Sequence, residues 1–386
     1  MHNFDEVIER RQTHSVKWDT LEQTYHRKDL LPLWIADMDF PTAPAIQTAL
    51  QNYLQQTILG YHTLPEELFA AVINWQTKRH DYRLTKKEIL FNSGVVPSMA
   101  LAVQAFTKPG EAVLIHDPVY PPFAAVVRKN KRRLIRSQLK AAEKLTMNFD
   151  QMEQLIIEEN VKLFLLCSPH NPGGRVWSRE ELLHVGKLCQ KHQVIVVSDE
   201  IHQDLVFAPQ RFLTYHNAAP DFSEHALVLT SATKTFNLAG IKNSMVFIKN
   251  PALKKQFQKI QQQNQQHEIN TLGIIGTQAA YTHGEAWLEE LLVYLQENIR
   301  FAAGFFREHL PKVSVMEPEA TYLMWLDFSA YGLSDSQLQK KMIEEAGVVL
   351  NPGITFGPSG SQYMRLNLAC PRSLLTQALE RIAAVF

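Results

Sequence analysis

The sequence is poor in cysteine, and its three cysteines stand apart from one another. Cys167, Cys189 and Cys370 are widely spaced, lie in apolar stretches and form neither a CxxC motif nor a cluster with histidine. Disulfide frameworks and structural zinc sites need grouped cysteines, so this spacing predicts neither of them. We expect three reduced, buried thiols and no metal site.

Excess charge and long apolar runs are also lacking. Lys plus Arg and Asp plus Glu both total 39, so the formal net charge is zero at pH 7. This balance does not indicate binding to nucleic acid or to a membrane surface. No apolar run approaches the roughly 18 residues of a spanning helix, and the N-terminus has no signal-peptide pattern. We therefore expect a cytoplasmic protein without nucleic-acid or membrane partners.

The sequence does contain a series of short apolar runs, each followed by a turn signal. These runs are EILFNSG, AVLIHDP, LFLLCSPHNPGG, VIVVSDE, ALVLTSATK and SMVFI. Helical patterns such as SREELLHVGKLCQKH separate them. Short apolar runs that alternate with helices are typical of strands buried on both faces of a mostly parallel sheet. The sequence therefore predicts an α/β fold, with helices covering a large sheet.

The length of the chain indicates more than one domain. Single cores rarely grow beyond roughly 250–300 residues, and this chain has 386. After about residue 285 the pattern changes to long helices alternating with strands, which indicates a smaller α+β domain. We predict an N-terminal segment at 1–45 that packs on the small domain, a large domain at 46–285 and a small domain at 286–386.

Polar residues directly follow several of the predicted strands, where α/β sheets bind their ligands. Lys234 follows ALVLT; a lysine after a strand is more commonly an ordinary surface residue, but a partly desolvated one would have a lowered pKa and could form a Schiff base. Asp199 follows VIVVS, where a carboxylate needs a cation such as a protonated pyridine; a helix cap or an Asp–Arg pair would explain it equally well. The amide of Asn171 could donate to a ring oxygen, or the residue could serve turn chemistry alone.

A phosphate site is indicated by a glycine and two residues near Lys234. Gly94 begins a helical pattern, and free backbone N–H groups at a helix start bind phosphate. Ser231 and Lys242 are close to Lys234 in sequence and could add a hydroxyl and a positive charge. A glycine before a helix does not by itself distinguish a phosphate site from an ordinary helix start.

Two further residues have both a structural and a functional interpretation. Tyr120 lies on a proline-bounded loop in DPVYPPF, where its ring could stack on a flat heteroaromatic ring or pack in the core. Arg365 lies in the apolar strand pattern YMRLNLACP and needs an anionic partner. A substrate carboxylate and a structural salt bridge satisfy that need equally well.

The order of these residues along the chain resembles a known enzyme superfamily. Gly94, Tyr120, Asn171, Asp199, Lys234 and Arg365 occur in the order found in fold-type I pyridoxal phosphate (PLP) enzymes of the aspartate aminotransferase superfamily. The resemblance runs from about residue 30 to the C-terminus. Within the superfamily, WIADMDF and SDEIHQDLVF are similar to the cystathionine β-lyase/C–S lyase subgroup. The resemblance implies PLP as cofactor and a homodimer with active sites at the subunit interface.

The resemblance also implies a role for each residue. Lys234 would form the Schiff base with PLP and move the Cα proton, Asp199 would keep the pyridine nitrogen protonated, and Tyr61 would join the site from the other subunit as a catalytic and phosphate-binding residue. The other implied cofactor-binding residues are Asn171, His202, Tyr120, Gly94, Val95, Val96, Ser231 and Lys242. The implied substrate-binding residues are Arg365, Ala36, Asp37 and Tyr322.

The implied reaction is β-elimination from an amino-acid substrate. Cystathionine or another S-substituted cysteine would yield a thiol, pyruvate and ammonia, with homocysteine as the thiol from cystathionine. A class I/II aminotransferase acting on a small amino acid is the alternative, because both reactions use the residues named above. WIADMDF and His202, which stands where aminotransferases commonly have tyrosine, favour the lyase. A regulatory protein that keeps the fold without catalysis is a third interpretation.

Overall fold

Most strands of the computed structural model, which describes residues 2–386, belong to one large sheet. The strands are β1 (Leu31–Pro32), β2 (Ile89–Asn92), β3 (Ala112–Asp117), β4 (Arg133–Gln138), β5 (Val161–Cys167), β6 (Ile195–Asp199), β7 (Ala226–Thr230), β8 (Ser244–Phe247), β9 (Ser314–Met316), β10 (Leu323–Asp327), β11 (Val348–Val349), β12 (Asn351–Pro352) and β13 (Tyr363–Asn367).

Helices surround the strands and include one long helix after the large sheet. The helices are α1 (Val16–Tyr25), α2 (Pro44–Leu54), α3 (Glu66–His80), α4 (Val95–Phe106), α5 (Pro121–Lys129), α6 (Phe149–Glu158), α7 (Arg179–Lys191), α8 (Tyr215–Ala218), α9 (Ala232–Thr235), α10 (Pro251–Gln263), α11 (Thr271–His283), α12 (Glu285–His309), α13 (Asp335–Lys340) and α14 (Arg372–Ala383). No helix within residues 2–386 is both long enough and apolar enough to cross a membrane.

The large sheet has seven strands in the order β2-β8-β7-β6-β5-β3-β4. Strand β8 runs antiparallel to both of its neighbours, and every other neighbouring pair is parallel. The predicted α/β fold with a mostly parallel sheet is therefore confirmed. The reversed direction of β8 is not visible in its sequence, because an apolar run reads alike in either direction.

The edge strand β4 is a strand that the apolar-run pattern does not predict. Its sequence, RLIRSQ, has only two apolar residues, and only Ser137 among its side chains is fully buried. It pairs with β3 alone, so one side of the strand has no neighbour in the sheet. Charged side chains are common on such edges because they oppose pairing with other chains.

Helices cover both faces of the sheet because successive side chains on a strand point to opposite sides. On β5, Leu163 and Leu165 pack in a cluster with Met99 of α4 and Phe123 of α5. The intervening Phe164 packs on the other face, in the cluster that contains α6 and α7. This two-sided burial explains the continuous apolar character of the central strands.

A second, four-stranded antiparallel sheet lies in the C-terminal part of the chain, in the order β12-β13-β10-β9. The N-terminal segment contacts this region through a parallel pairing of β1 with β11. The N–H of Asp39 also donates to the carbonyl of Ala369 at 2.9 Å. These contacts support the proposed domain division, in which the segment packs on the small domain.

A buried group of charges anchors the N-terminal segment. The Lys17 ammonium, with a side chain only 1% exposed, lies 2.7 Å from the Asp39 carboxylate, and the Arg10 guanidinium lies 2.6 Å from the same carboxylate. Trp18 donates to it at 2.9 Å. Burial raises the pKa of Asp39, but the positive charges of Lys17 and Arg10 hold it below its ordinary value. Lys17 also donates to the carbonyl of Asp37 at 3.1 Å.

We expect Lys17→Met to destabilise the protein by on the order of 3 kcal/mol, because it leaves the buried Asp39 with one fewer cation. Equilibrium denaturation in urea measures this change. Lys28→Met is the control, because Lys28 is 82% exposed and its loss should change stability by no more than about 0.5 kcal/mol. Equal stabilities of the two variants would contradict a structural role for the pair.

Candidate active site

One edge of the large sheet collects the residues that the sequence singled out. Parallel strands end at the same edge, and the antiparallel β8 begins there. The residues at this edge are Gly94 after β2, Tyr120 after β3, Asn171 after β5, Asp199 at the end of β6, Lys234 after β7 and Lys242 before β8. The direction of β8 therefore explains why Lys242 lies at the same edge as the others.

Lys234 lies on α9, the short helix that directly follows β7. Its ammonium nitrogen donates to the carbonyl of Ala36 at 2.5 Å. Burial and the positive charge of Arg365 lower the pKa of Lys234 to about 8, while the carboxylates of Asp37 and Asp199 oppose the shift. This lowered pKa gives the amine a far larger neutral fraction near physiological pH than an ordinary lysine has, as a nucleophile or a base requires.

Asp204 supports the turn that carries Lys234, and the sequence analysis missed it. Its buried carboxylate accepts hydrogen bonds from Thr235 Oγ1 at 2.8 Å and from Trp75 Nε1 at 3.0 Å. It also forms a hydrogen bond with His80 Nε2 at 2.7 Å. Burial raises the pKa of Asp204, but the bond to His80 and nearby positive charge lower it below its ordinary value. The one sequence signal was a charge amid apolar residues in QDLVF.

Asp199 is a buried carboxylate without a strong cationic partner. Its one hydrogen bond comes from the backbone N–H of Ile201 at 3.2 Å. No arginine or lysine nitrogen of residues 2–386 lies within 4.0 Å of it, so the structure does not contain an Asp–Arg pair here. Burial raises the pKa of Asp199 to about 7, against the opposing effects of Ile201 N–H and Lys234. A cationic ring N–H placed on this carboxylate would favour its charged form.

Arg365 on β13 is a buried cation without a buried anion. Its guanidinium donates to Asn171 Oδ1 at 3.1 Å, to the carbonyl of Trp34 at 2.7 Å and to Asn351 Oδ1 at 2.5 Å. No carboxylate in the described part of the chain pairs with it, and its Nε has no hydrogen-bond partner there. Burial lowers the pKa of Arg365 to about 10. An anionic ligand is therefore the partner that this side chain lacks.

Asn171 and Tyr120 are held together beside Arg365. The backbone N–H of Tyr120 donates to the carbonyl of Asn171 at 3.1 Å. Because Asn171 Oδ1 already accepts from Arg365, its Nδ2 is the group available to a ligand. The Tyr120 ring is half-buried, and burial raises the pKa of its hydroxyl.

His202 and Tyr322 complete the wall near Lys234. Burial and the charges of Lys234 and Arg365 lower the pKa of His202 to about 3, so its ring is neutral. Its Nδ1 has no hydrogen-bond partner among residues 2–386. The Tyr322 ring meets it edge-on at 6.2 Å between centroids. The Tyr322 hydroxyl donates to the carbonyl of Ala36 at 2.9 Å, so Tyr322 and Lys234 share one acceptor.

Asp37, like Ala36, has acceptors that are already bound within the chain. Its carboxylate is bound by the Arg10 guanidinium at 3.0 and 3.3 Å. Its carbonyl accepts from Lys17 and from Asn367 Nδ2, at 3.1 and 2.7 Å. Asp37 therefore fixes the backbone of this segment, and its own acceptors are already occupied.

The start of α4 has the backbone geometry of an anion site. Gly94 precedes it with φ 154°, a region that favours glycine, and a Cβ at this position would lie 3.5 Å from the Pro97 ring. Val95 and Val96 form the first turn, where N–H groups have no partner within the helix. Such N–H groups bind phosphate.

Ser231 and Lys242 lie near this helix start through a short series of contacts. Ser98 of α4 bonds to Ser244 of β8 at 3.0 Å, and Ser231 Oγ donates to the carbonyl of Asn243 at 2.6 Å. The Ser231 hydroxyl also accepts from the N–H of Thr233, so it already caps α9. The Lys242 side chain is exposed, and no carboxylate of residues 2–386 pairs with it.

Tyr61 is the predicted site residue that the structure does not bring to the others. It is fully exposed and forms no hydrogen bond within the described chain. Its segment also exposes Leu54, Ile58, Leu59 and Leu64. Exposed apolar side chains in one segment are typical of an interface with another chain.

Known proteins are similar to this chain over nearly its whole length. The family model for aminotransferase class I and II matches residues 28–382. Cystathionine beta-lyase PatB of Bacillus subtilis is 41% identical over 383 residues, which are 99% of each protein. Cystalysin of Treponema denticola, solved with pyridoxal 5'-phosphate, has a TM-score of 0.97 at 32% identity and covers 100% of this chain and 98% of its own. A PLP-bound C–S lyase of Staphylococcus hominis has a TM-score of 0.93 at 32% identity, with the same coverage.

We expect Lys234 of the cofactor-free protein to react with acetic anhydride at unusually low pH. Its lowered pKa predicts half-maximal labelling near pH 8, because only the neutral amine reacts. Ordinary lysines, with a pKa near 10.4, react about two pH units higher. Mass spectrometry of labelled peptides across a pH series measures the midpoint. Arg365→Met should raise the midpoint of Lys234, because it removes a positive charge that lowers the pKa of the amine. A midpoint equal to that of exposed lysines would contradict the lowered pKa of Lys234.

Proposed function

This chain belongs to the class I and II aminotransferase family, and on that premise we propose that it is a PLP-dependent C–S β-lyase. It cleaves cystathionine or a related S-substituted cysteine into a thiol, pyruvate and ammonia. The observation that carries the proposal is the buried amine of Lys234, with its lowered pKa, near the guanidinium of Arg365, which has no carboxylate partner in the described chain. The similarity to enzymes named cystathionine beta-lyase and C–S lyase supports elimination over transamination.

The chemistry of the available groups fits PLP. Asp199 offers a buried acceptor for the ring N–H, and Asn171 offers an amide donor for the ring oxygen. The N–H groups of Val95 and Val96 and the charge of Lys242 suit the phosphate. When bound, PLP supplies an electron sink for the charge that develops at Cα of an amino acid. Ser231 would join the phosphate only if its hydroxyl left the Asn243 carbonyl.

Arg365 holds the α-carboxylate of the substrate. Its Nε is unpaired in the described chain, and guanidinium groups bind carboxylates through two parallel hydrogen bonds. Its contacts with Asn171, Asn351 and Trp34 fix the fork in place before a substrate arrives. This pre-ordering reduces the entropy that binding must remove.

Lys234 takes the proton from Cα. A base with a pKa of about 8 is neutral often enough near pH 7 to accept a proton and acidic enough to release it. The Ala36 carbonyl orients its amine, and Tyr322 bonds to that same carbonyl. The resulting ammonium then protonates the sulfur that leaves Cβ, so one residue serves both steps.

The enzyme acts as a homodimer, in which Tyr61 of each subunit reaches the phosphate site of the other. The full exposure of Tyr61 and its apolar neighbours supports this arrangement. C2 dimers are the commonest symmetric assemblies. We retain the prediction of a cytoplasmic enzyme, which the three unpaired, buried thiols support.

We expect the purified holoenzyme to produce equal amounts of pyruvate and homocysteine from L-cystathionine. Lys234→Ala should lower the rate by at least about 100-fold, because it removes the base. Coupled lactate dehydrogenase measures pyruvate, and a thiol reagent measures homocysteine. L-methionine, which has no leaving group on Cβ, is the control substrate. No product above the Lys234→Ala level, or conversion of L-methionine with a 2-oxo acid at a matching rate, would contradict the proposal.

Subunit complementation tests the position of Tyr61. Tyr61→Ala and Lys234→Ala homodimers should each be nearly inactive. When the two are mixed, unfolded and refolded together, mixed dimers contain one site with both Lys234 and Tyr61 intact. We expect the mixture to recover about a quarter of wild-type activity, because about half of random dimers are mixed. Recovery no greater than the sum of the separate variants would place Tyr61 outside the partner's site.

A further inference from the structure

A second cleft, separate from the candidate active site, lies between the carboxyl end of α3 and the segment that connects β6 to β7. Its volume is about 1040 Å³, at the upper end of the roughly 300–1,000 Å³ typical of small-molecule sites. None of the residues proposed to hold PLP or the amino-acid substrate lines it. The cleft therefore offers space that the proposed lyase reaction does not use.

Basic side chains dominate the lining of this cleft. The basic residues are Lys78, Arg79, Arg83, Arg179, Arg211 and Lys249, and the acidic residues are Asp81, Asp204 and Glu285. Two of the basic residues are neutralised locally. The Lys78 ammonium lies 2.5 Å from the Glu285 carboxylate, and the Arg79 guanidinium lies 2.6 Å from that of Glu289.

The other four cations, Arg83, Arg179, Arg211 and Lys249, have no carboxylate within 4.0 Å among residues 2–386. Asp81 is the one acid of the lining that is not engaged in an ion pair there. The whole chain has a formal net charge of zero. The positive charge of the cleft is thus a local concentration, which favours anions.

Two of these cations are held in place before any ligand binds. Arg179 donates to the carbonyl of Ala218 at 2.8 Å, which leaves the rest of its guanidinium free. The Lys249 ammonium lies 5.0 Å from the centroid of the Tyr82 ring. Contacts of this kind restrict the side chains, so a ligand would bind them at a smaller cost in entropy.

Gln203 provides an independent sign of a missing ligand. It lines the cleft and is only 2% exposed, yet neither its Nε2 nor its Oε1 has a hydrogen-bond partner in the described chain. Buried amide groups without partners are rare because they cost free energy. Gln203 is therefore a lining residue whose donor and acceptor are both uncommitted within the described chain.

We propose that this cleft is a second binding site, which takes a small metabolite carrying at least two phosphate or carboxylate groups. The guanidinium groups of Arg83, Arg179 and Arg211 bind the anionic groups, because their planar forks match phosphate and carboxylate oxygens. Gln203 contacts an uncharged polar group of the same ligand. The cations converge on one concavity, which suits a compact ligand better than an extended polymer.

Isothermal titration calorimetry of the holoenzyme tests this proposal. Excess PLP is first removed by gel filtration, so that the phosphate site of the cofactor is filled and no free PLP competes. The probes are pyrophosphate, ATP and citrate, each titrated at constant ionic strength in potassium chloride. We expect saturable binding of at least one probe, and the pattern among the three distinguishes phosphate from carboxylate ligands.

Two double variants, each of which removes two positive charges, distinguish binding in the cleft from binding to the overall charge of the protein. Arg83→Gln/Arg211→Gln should weaken binding at least about tenfold, equivalent to about 1.4 kcal/mol. Arg128→Gln/Arg300→Gln removes the same charge from exposed positions outside the cleft and should leave binding unchanged. Both double variants should keep wild-type absorbance of bound PLP and wild-type lyase activity.

The proposal is overturned by either of two results. One is the absence of saturable heat with all three probes up to about 10 mM, which corresponds to affinities too weak for a specific site. The other is equal affinity of the two double variants, which would show that bulk charge rather than the cleft binds the anions. The calorimetry measures anion binding and not lyase activity. A negative result in the lyase assay would therefore not change the conclusion about this cleft.

Discussion

The carbonyl of Ala36 is the point on which the candidate active site depends. It accepts hydrogen bonds from both Lys234 and Tyr322, although these residues come from different parts of the fold. The N-terminal segment holds this carbonyl in place, because the Lys17–Asp39 pair anchors it and Lys17 also bonds to the next backbone carbonyl. A charge pair remote from the reacting atoms thereby orients the proposed catalytic amine.

Burial without compensation gives the site its reactivity. Lys234 has a lowered pKa and Asp199 a raised one, because desolvation disfavours the charged form of each. Arg365 remains charged but lacks an anion in the described chain. In all three groups, burial makes the charged form less stable than it is in water. Each group would therefore gain stability from a partner of opposite charge or, for Lys234, from reaction with a carbonyl. The ligands proposed for the site would relieve all three at once.

The sequence predicted the parallel sheet because buried strands are apolar throughout, and it predicted the candidate residues because they follow those strands. Other features depend on contacts between distant segments. Strand β4 has the polar sequence of a sheet edge, and the direction of β8 leaves no trace in its residues. Asp204 supports the site through hydrogen bonds from Thr235 and Trp75, and both of these residues are distant from it in sequence. The roles assigned to individual site residues stay predictions.

The antiparallel direction of β8 has a consequence for how the site tolerates motion. One loop, at 231–243, leaves β7 with Lys234 and enters β8 just after Lys242. Groups proposed for the aldehyde end and the phosphate end of the cofactor therefore belong to one short connection between two paired strands. The length of this connection, whose ends are fixed by the pairing of β7 with β8, limits how far these groups can move apart. Arg365, on the C-terminal four-stranded sheet, lies outside this connection, so a change in its position would alter the substrate side without altering the spacing of the two ends.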